Sequence, residues 1–335
     1  MVYNKFSDYL KKRYGTKVYK LPVNLCVSCP NRDGTVKSDD GGDQPYADGD
    51  ITDEGANGGC IFCGEEGAGF EMLSPDISIR NQLESNRRYI GAKYGAEKFI
   101  AYFQNYSNTY LTFNTFSKAM REACIEGIAA LYISTRPDCI DDRRMAFLRQ
   151  LKEEKGVDIV LELGLQSINH HTLRWLGRGH GMAEFIDAVL RIKRAGLEVC
   201  AHMINDLPAD DIHDVIDGAK VLSALGVDQV KCHSLYILDN TPLGDAYKEG
   251  TFTPLSKEEF INRTISFLEY LSPDITVQRL IGRAPAERTL FCNWNTSWWL
   301  IHDAIVERML REGRYQGRLF GYLNGSALKY INDRL

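Results

Sequence analysis

KFIAYFQ (98–104), ALYIST (130–135), DIVLELGLQ (158–166), LEVCAHMI (197–204) and DQVKCHSLYIL (228–238) are apolar, β-branched runs repeating along the middle of the chain. They read as strands that are near-continuous rather than alternating, which suits a parallel sheet covered by helices. Between them lie helical stretches. NTFSKAMREACIEG (114–127) opens on an Asn cap and stops at a glycine, 141–155 follows, 182–195 stops before Gly196, and 210–225 stops before Gly226. Working outward, Lys17 to Val23 is a first strand, and 76–94 is a helix with Ile79, Leu83 and Tyr89–Ile90 near one face. Six strand–helix units predict a parallel α/β fold. Periodicity alone leaves a doubly wound sheet and a β/α barrel both open. The tail from about 255 has two helical stretches around a strand, ITVQRLIG (275–282). The expected division is a core at 1–240 and a C-terminal extension at 241–335 packed on it.

The 335 residues are 44% hydrophobic and 25% charged, which excludes a disordered or collagen-like chain. No uninterrupted apolar stretch is long enough to span a membrane. MVYNKFSDYLKKRYG (1–15) has no apolar run behind its basic residues, so no secretory signal and a cytoplasmic location are expected. A net charge of −5 does not suggest a wholesale nucleic-acid binder and leaves room for a local basic patch. Lys5, Lys11, Lys12, Arg13, Lys17 and Lys20 offer one such patch, and Arg308, Arg311, Arg314 and Arg318 a second. If the two adjoin, they could hold phosphates.

Nine cysteines in such a chain point to metal or redox chemistry rather than disulfides. Cys26, Cys29, Cys60 and Cys63 form two C-x-x-C pairs bracketing VKSDDGGDQPYADGDITDEGANGG (36–59), which reads as a solvated acidic loop. Asp48, Asp50 and Asp53 within it lack the Gly and Glu positions of a calcium loop. The pairs fit either a four-thiolate zinc knuckle or a [4Fe–4S] cluster held by three thiolates with one iron open. Cys124, Cys139, Cys200, Cys232 and Cys292 are scattered and read as small buried hydrophobes. Glu162 alternates with Gly164 and Gln166, and Lys231 with His233, so these side chains would share the inner face of a barrel. Glu162, Lys231 and His233 are the catalytic or substrate-binding candidates, and a buried Glu162 must be paired or protonated. Arg136 and Asp138 read as a loop-shaping ion pair, and His170 and His171 as exposed at the start of a helix. TSWWLIHDAIVERML (296–310) reads as a helix whose Trp pair packs on the barrel.

CPNRDG (29–34), GGCIFC (58–63), KFIAYFQNYSNTY (98–110), STRPDC (134–139), LELGLQS (161–167), RGH (178–180) and AHMINDLP (201–208) occur in an order that resembles the radical S-adenosylmethionine (SAM) family. More narrowly, they resemble its YtqA/YhcC-type bacterial branch, a neighbour of the Elongator catalytic subunit. The resemblance implies a partial (β/α)6 TIM-type barrel with a C-terminal α/β extension. It implies a [4Fe–4S] cluster on Cys29, Cys60 and Cys63; the chain departs from the family pattern in its much longer gap before Cys60 and in Cys26, which stands where the family has no ligand. It also implies an open iron that chelates SAM, and reductive cleavage to a 5′-deoxyadenosyl radical that abstracts hydrogen from a substrate. Gln104, Ser134, Gln166, Arg178 and His202 match positions facing SAM in similar enzymes, Arg178 toward its carboxylate. Ser134 stands where Elongator-like proteins often have Glu. The implied partners are tRNA, through its wobble uridine, and an electron donor such as flavodoxin or ferredoxin. No room is left for an acetyltransferase domain, so an acetyl-CoA-dependent reaction is not expected. The alternatives are radical chemistry on a small metabolite or peptide, and a zinc-stabilised, non-enzymatic binding module.

Overall fold

The computed structural model describes residues 2–35, 59–64, 72–284 and 288–330. The acidic loop expected at 36–59, with its aspartates, lies outside the described residues apart from Gly59. The core alternates β1 (Val18–Val23), α2 (Ile79–Tyr94), β2 (Lys98–Phe103), α3 (Phe113–Ala123), β3 (Ile128–Thr135), α4 (Asp142–Lys155) and β4 (Asp158–Gln166). It continues through α5 (His170–Trp175), α6 (Met182–Arg194), β5 (Glu198–Ile204), α7 (Ile212–Ala224) and β6 (Gln229–His233), with α1 (Phe6–Tyr14) preceding β1.

Helix ends follow side-chain capping. Asp141 accepts from the Arg144 amide, Asp211 and Asp214 form a reciprocal capping box, and Ser78 accepts from the Asn81 amide. The helix expected at 114–127 is shifted. Thr112, not Asn114, caps α3 by accepting from Thr115, and the helix stops at Ala123, with Cys124 at the C-cap.

One observation separates barrel from doubly wound sheet. The seven-stranded sheet runs β1-β2-β3-β4-β5-β6-β8, where β8 is Thr276–Arg279, and every pair is parallel. Strand order never reverses, so right-handed crossovers put the connecting helices on one face, and the sheet curls around the other. The two faces differ in kind. Ile159, Leu161, Leu163 and Leu165 of β4 point outward into the main apolar core, with Phe116, Met120, Leu148, Phe185, Val189 and Leu222 from the helices. Each such side chain contributes roughly 1.5–3 kcal/mol when fully buried. The inner face is apolar only at its floor, where Val18, Ile100, Tyr132 and Val160 pack under Leu10 of α1. Above the floor it is polar.

β1 and β8 do not pair, so the barrel stays open. The N-terminal segment bridges the gap, with the Val277 amide donating to the Asn4 carbonyl at 2.8 Å. The tail strand expected at 275–282 is therefore the seventh strand of the sheet. The run expected as one strand at 228–238 is broken. β6 ends at His233, and β7 (Ile237–Leu238) turns away to pair antiparallel with β9 (Thr289–Phe291). α8 (Pro242–Lys248), α9 (Lys257–Tyr270) and α10 (Trp298–Arg311) complete the chain. Among the described residues no helix is long and apolar enough to cross a membrane.

Two surface expectations are corrected. The Trp pair does not pack on the barrel: Trp298 and Trp299 are 42% and 50% exposed, while α10 buries Ile301, Ile305 and Met309 instead. The basic segments do adjoin, since Gln316 bonds to both Val2 and Asn4. Their arginines are already paired, however: Arg13 with Asp158, Arg308 with Glu258, Arg311 with Glu312, and Arg314 and Arg318 with Glu269. Lys20 points into the barrel, and α1 closes the floor, away from the C-terminal ends of the strands.

Candidate active site

Two groups of residues meet above the floor of the barrel. The first surrounds the cysteines. Cys29 and Cys60 lie on loops after β1, and the Ile61 amide donates to the Leu176 carbonyl, tying the cysteine loop to the end of α5. Arg178 follows that helix. Its guanidinium donates to Cys60 Sγ at 3.1 Å and to the Gly164 carbonyl at 2.7 Å, and it meets His180 Nε2 at 2.9 Å. Since an arginine only donates, His180 accepts there and is neutral. Burial, then Arg178 and Arg136, holds its pKa down at about 2. Arg136 forks onto Asp138 at 2.8 and 2.7 Å, as the sequence suggested, and donates to the Arg178 carbonyl.

Glycines let these loops approach. A Cβ at Gly177 (φ +64°) would stand 3.2 Å from the Gly59 carbonyl, and one at Gly179 (φ +63°) 2.5 Å from Asn31 Oδ1. Asn31 in turn donates to the Gly177 carbonyl at 2.7 Å.

Cys63 is an exposed residue, yet crowding around its thiol, then the Cys60 and Cys29 sulfurs, pushes its pKa up to about 12, with Arg178 and Arg32 opposing. Cys26 is exposed. Among the described residues, no three of these four thiols lie within 4.8 Å of one another. Four thiolates on one zinc ion, with Zn–S near 2.3 Å, would be about 3.8 Å apart. No such tetrahedral thiol set is assembled among the described residues. Of the five scattered cysteines, Cys200 and Cys232 are buried as expected, while Cys124, Cys139 and Cys292 are only half-buried.

The second group fills the lumen and centres on Glu162, 1% exposed. Lys20 donates to Oε1 at 3.0 Å and Gln278 to the same atom at 3.1 Å. Lys231 donates to Oε2 at 2.5 Å, His202 Nε2 lies 2.9 Å from it, and Ser134 Oγ lies at 3.4 Å. Burial alone would raise the Glu162 pKa. Lys20, Lys231 and His202 overcome it and hold the carboxyl well below its usual range, so it is ionised. Burial, then Lys231, lowers His202 to about 4, and burial, then Arg279, holds His233 well below the ordinary imidazole value. Glu162, Cys200 and His202 bring three ligand-type atoms within 4.8 Å. The two ammonium groups already on the carboxylate make this an ion-pair network rather than a metal site.

The sequence-predicted residues thus fall into separate places. Glu162, Ser134, His202 and Lys231 share one network, and His233 adjoins it, its ring 5.2 Å from that of His202. Arg178 stands against Cys60 instead. Gln104 directly follows β2. Gln166 ends β4 with φ +75°, beside a register shift after Gly164. Such strain at a strand end is a feature of functional sites. Sequence reading missed Lys20, Gln278, Arg279 and Asn31, and also Tyr102, whose hydroxyl accepts from Lys231 at 2.8 Å. Lys20 carried a signal, because it alternates with Val18 in a strand rather than sitting in the helical basic run.

An open parallel barrel with thiols after its first strand and a polar lumen belongs to a class that works at the C-terminal ends of its strands. The radical SAM superfamily model matches residues 52–235 and a radical SAM C-terminal domain matches 227–311, so the chain belongs to the radical SAM superfamily. It is an enzyme of that family, with a [4Fe–4S] cluster and SAM as cofactors. That overturns the reading as a zinc-stabilised, non-enzymatic module. The chain is 28% identical to the Bacillus subtilis protein YtqA over 319 residues, 95% of this chain and 92% of YtqA. It is 26% identical to a tRNA uridine(34) acetyltransferase of Methanocaldococcus infernus over 164 residues, 47% of this chain and 29% of that protein. The solved structure of Methanocaldococcus infernus Elp3 with an N-terminal deletion shares the fold, with TM-score 0.62 and 20% identity over 73% of this chain and 62% of that one.

Proposed function

We propose that Cys29, Cys60 and Cys63 hold the cluster, that Gln104, Ser134, Gln166 and Arg178 line the SAM side of the mouth, and that a uridine of tRNA enters the lumen beneath. His202, placed with the SAM contacts by resemblance, belongs in this reading to the boundary between SAM and substrate. When bound, the cluster and SAM supply reductive cleavage to a 5′-deoxyadenosyl radical that abstracts hydrogen. The observation that carries the reading is the contact of Arg178 with Cys60. One guanidinium meets a proposed cluster thiolate and the end of β4 together. From there it can stabilise the thiolate and meet a carboxylate with a remaining N–H.

The residues below divide the remaining work. Glu162 neutralises Lys20 and Lys231 and fixes their positions. His202 and His233, neutral at pH 7, add no positive charge to the lumen. The apolar floor under α1 excludes water from below. In this reading the core at 1–240 carries the proposed cluster and SAM residues, and 241–335 supplies the seventh strand with Gln278 in the lumen. The tRNA assignment is supported by the partial likeness to the tRNA uridine(34) acetyltransferase, and not by the basic segments, whose arginines are paired and which lie at the closed end. A flavodoxin- or ferredoxin-like donor would supply the electron.

Two measurements test this. After anaerobic reconstitution, Cys29→Ala, Cys60→Ala and Cys63→Ala should each lose the iron and sulfide that Cys26→Ala keeps; loss in Cys26→Ala alone would overturn the ligand set. Mass analysis of tRNA nucleosides from cells lacking the protein should show one changed wobble uridine. Unchanged nucleosides would leave a small metabolite or peptide as substrate.

A further inference from the structure

Among the described residues, the lumen carries a guanidinium, that of Arg279, with no carboxylate in direct contact. Both Glu162 oxygens are taken, by Lys20 and Gln278 on one side and by Lys231, His202 and Ser134 on the other. Arg279, at the end of β8, meets no carboxylate among the described residues. One of its terminal nitrogens lies 2.7 Å from His233 Nδ1, and its buried Nε has no hydrogen-bond partner. Burial is the leading influence on it and lowers its pKa, as expected for a guanidinium short of an anion. A buried donor left unpaired costs free energy unless something arrives to pair it.

The backbone places Arg279 there by a specific device. Neighbouring residues of a strand normally point to opposite faces. In β8, Gln278 reaches Glu162 and Gln229 in the lumen, so Arg279 should face the helices. Instead the β6–β8 ladder shifts register between Val230 and Lys231, and Arg279 also turns toward the lumen, onto His233. Bulges of this kind re-aim a side chain and are frequent beside active sites. Gly282 keeps the next turn close, since a Cβ there would lie 3.4 Å from His233 Nδ1.

We propose that Arg279, backed by the neutral imidazole of His233, is an anion subsite that binds a carboxylate or phosphate group carried by the substrate. The planar fork suits either group. The proposal rests on the lumen being the substrate chamber, but it does not depend on the substrate being tRNA or on radical turnover.

Its test is anion binding to the reconstituted protein by titration calorimetry, with sodium acetate and inorganic phosphate as separate probes. Wild type should bind at least one of them. Arg279→Gln should weaken that binding at least about tenfold, and Arg279→Lys, which keeps the charge but loses the fork, by about threefold. The urea midpoint of Arg279→Gln should equal or exceed that of wild type, because an unpaired cation has been removed. Preference for acetate assigns a substrate carboxylate, and preference for phosphate assigns a phosphate. Two results overturn the proposal: no binding of either probe by wild type up to about 0.1 M, or unchanged binding in Arg279→Gln. Should Arg279→Gln not fold, unchanged binding in Arg279→Lys overturns it in the same way.

Discussion

Replacing Glu162 with Gln tests the lumen network directly. The side chain is fully buried and is the shared counter-ion of Lys20 and Lys231, at 3.0 and 2.5 Å. Gln keeps the shape, removes the charge, and turns an NH2 group toward an ammonium or amide donor. Breaking a buried pair by removing one partner costs about 3–5 kcal/mol. At roughly 2 °C per kcal/mol for a large domain, the midpoint of thermal unfolding should fall by about 6–10 °C at pH 7. The folded-state pKa of Glu162 is depressed, so its contribution is complete above the unfolded carboxyl value of about 4.3 and drains away as pH falls through the folded value. The gap between the two proteins should therefore be full at pH 7 and shrink at acid pH. Adding Lys231→Met to Glu162→Gln removes one stranded cation and should recover at least about 1.5 kcal/mol, an interaction energy a double-mutant cycle resolves. Urea unfolding of the four proteins supplies the numbers. A loss below about 1 kcal/mol for Glu162→Gln, or strictly additive effects, would refute the ion-pair network.

Arg178→Lys should keep the iron but lower SAM cleavage by about 10–100-fold, because a lysine cannot span Cys60 Sγ and the Gly164 carbonyl together; single-turnover formation of 5′-deoxyadenosine measures it. Trp298→Ala and Trp299→Ala should each change stability by less than about 0.5 kcal/mol, whereas Ile305→Ala, buried on the same helix, should cost about 2–5 kcal/mol. Asp206 accepts from the Leu235 amide through Oδ1, its Oδ2 is unpartnered, and burial raises its pKa to about 7. A raised carboxyl pKa adds stability that is complete below the unfolded value and lost as pH rises through the folded one, so urea midpoints of wild type should fall from pH 5 to pH 8 more than those of Asp206→Asn.

Much of this protein is local and therefore legible in one dimension. The strand at 158–166 was bounded correctly because Ile159, Leu161, Leu163 and Leu165 repeat at period two around a polar set. Helix ends at Asp141 and Asp211 depend on side-chain oxygens a few residues from the amides they cap. The cysteine pairs, the ordered motif blocks and the inward set of Glu162, Lys231 and His233 needed no coordinates either. What the tertiary structure decided depends on partners far apart in sequence. Sequential strand order, which makes a barrel rather than a doubly wound sheet, is a property of the ladders between strands. Lys20 meets Glu162 across 142 residues, so its charge belongs to the lumen and not to the surface. The arginines near the C-terminus met Glu258 and Glu269 on α9, and helical periodicity could not tell that Ile301, Ile305 and Met309, rather than the tryptophans, would be buried. The β6–β8 register shift that turns Arg279 inward is set by how two strands about 50 residues apart (46 between His233 and Arg279) pack together. Local stereochemistry acts within a few residues, while charge pairing, register and burial are settled only when distant segments share one dielectric and one packed volume.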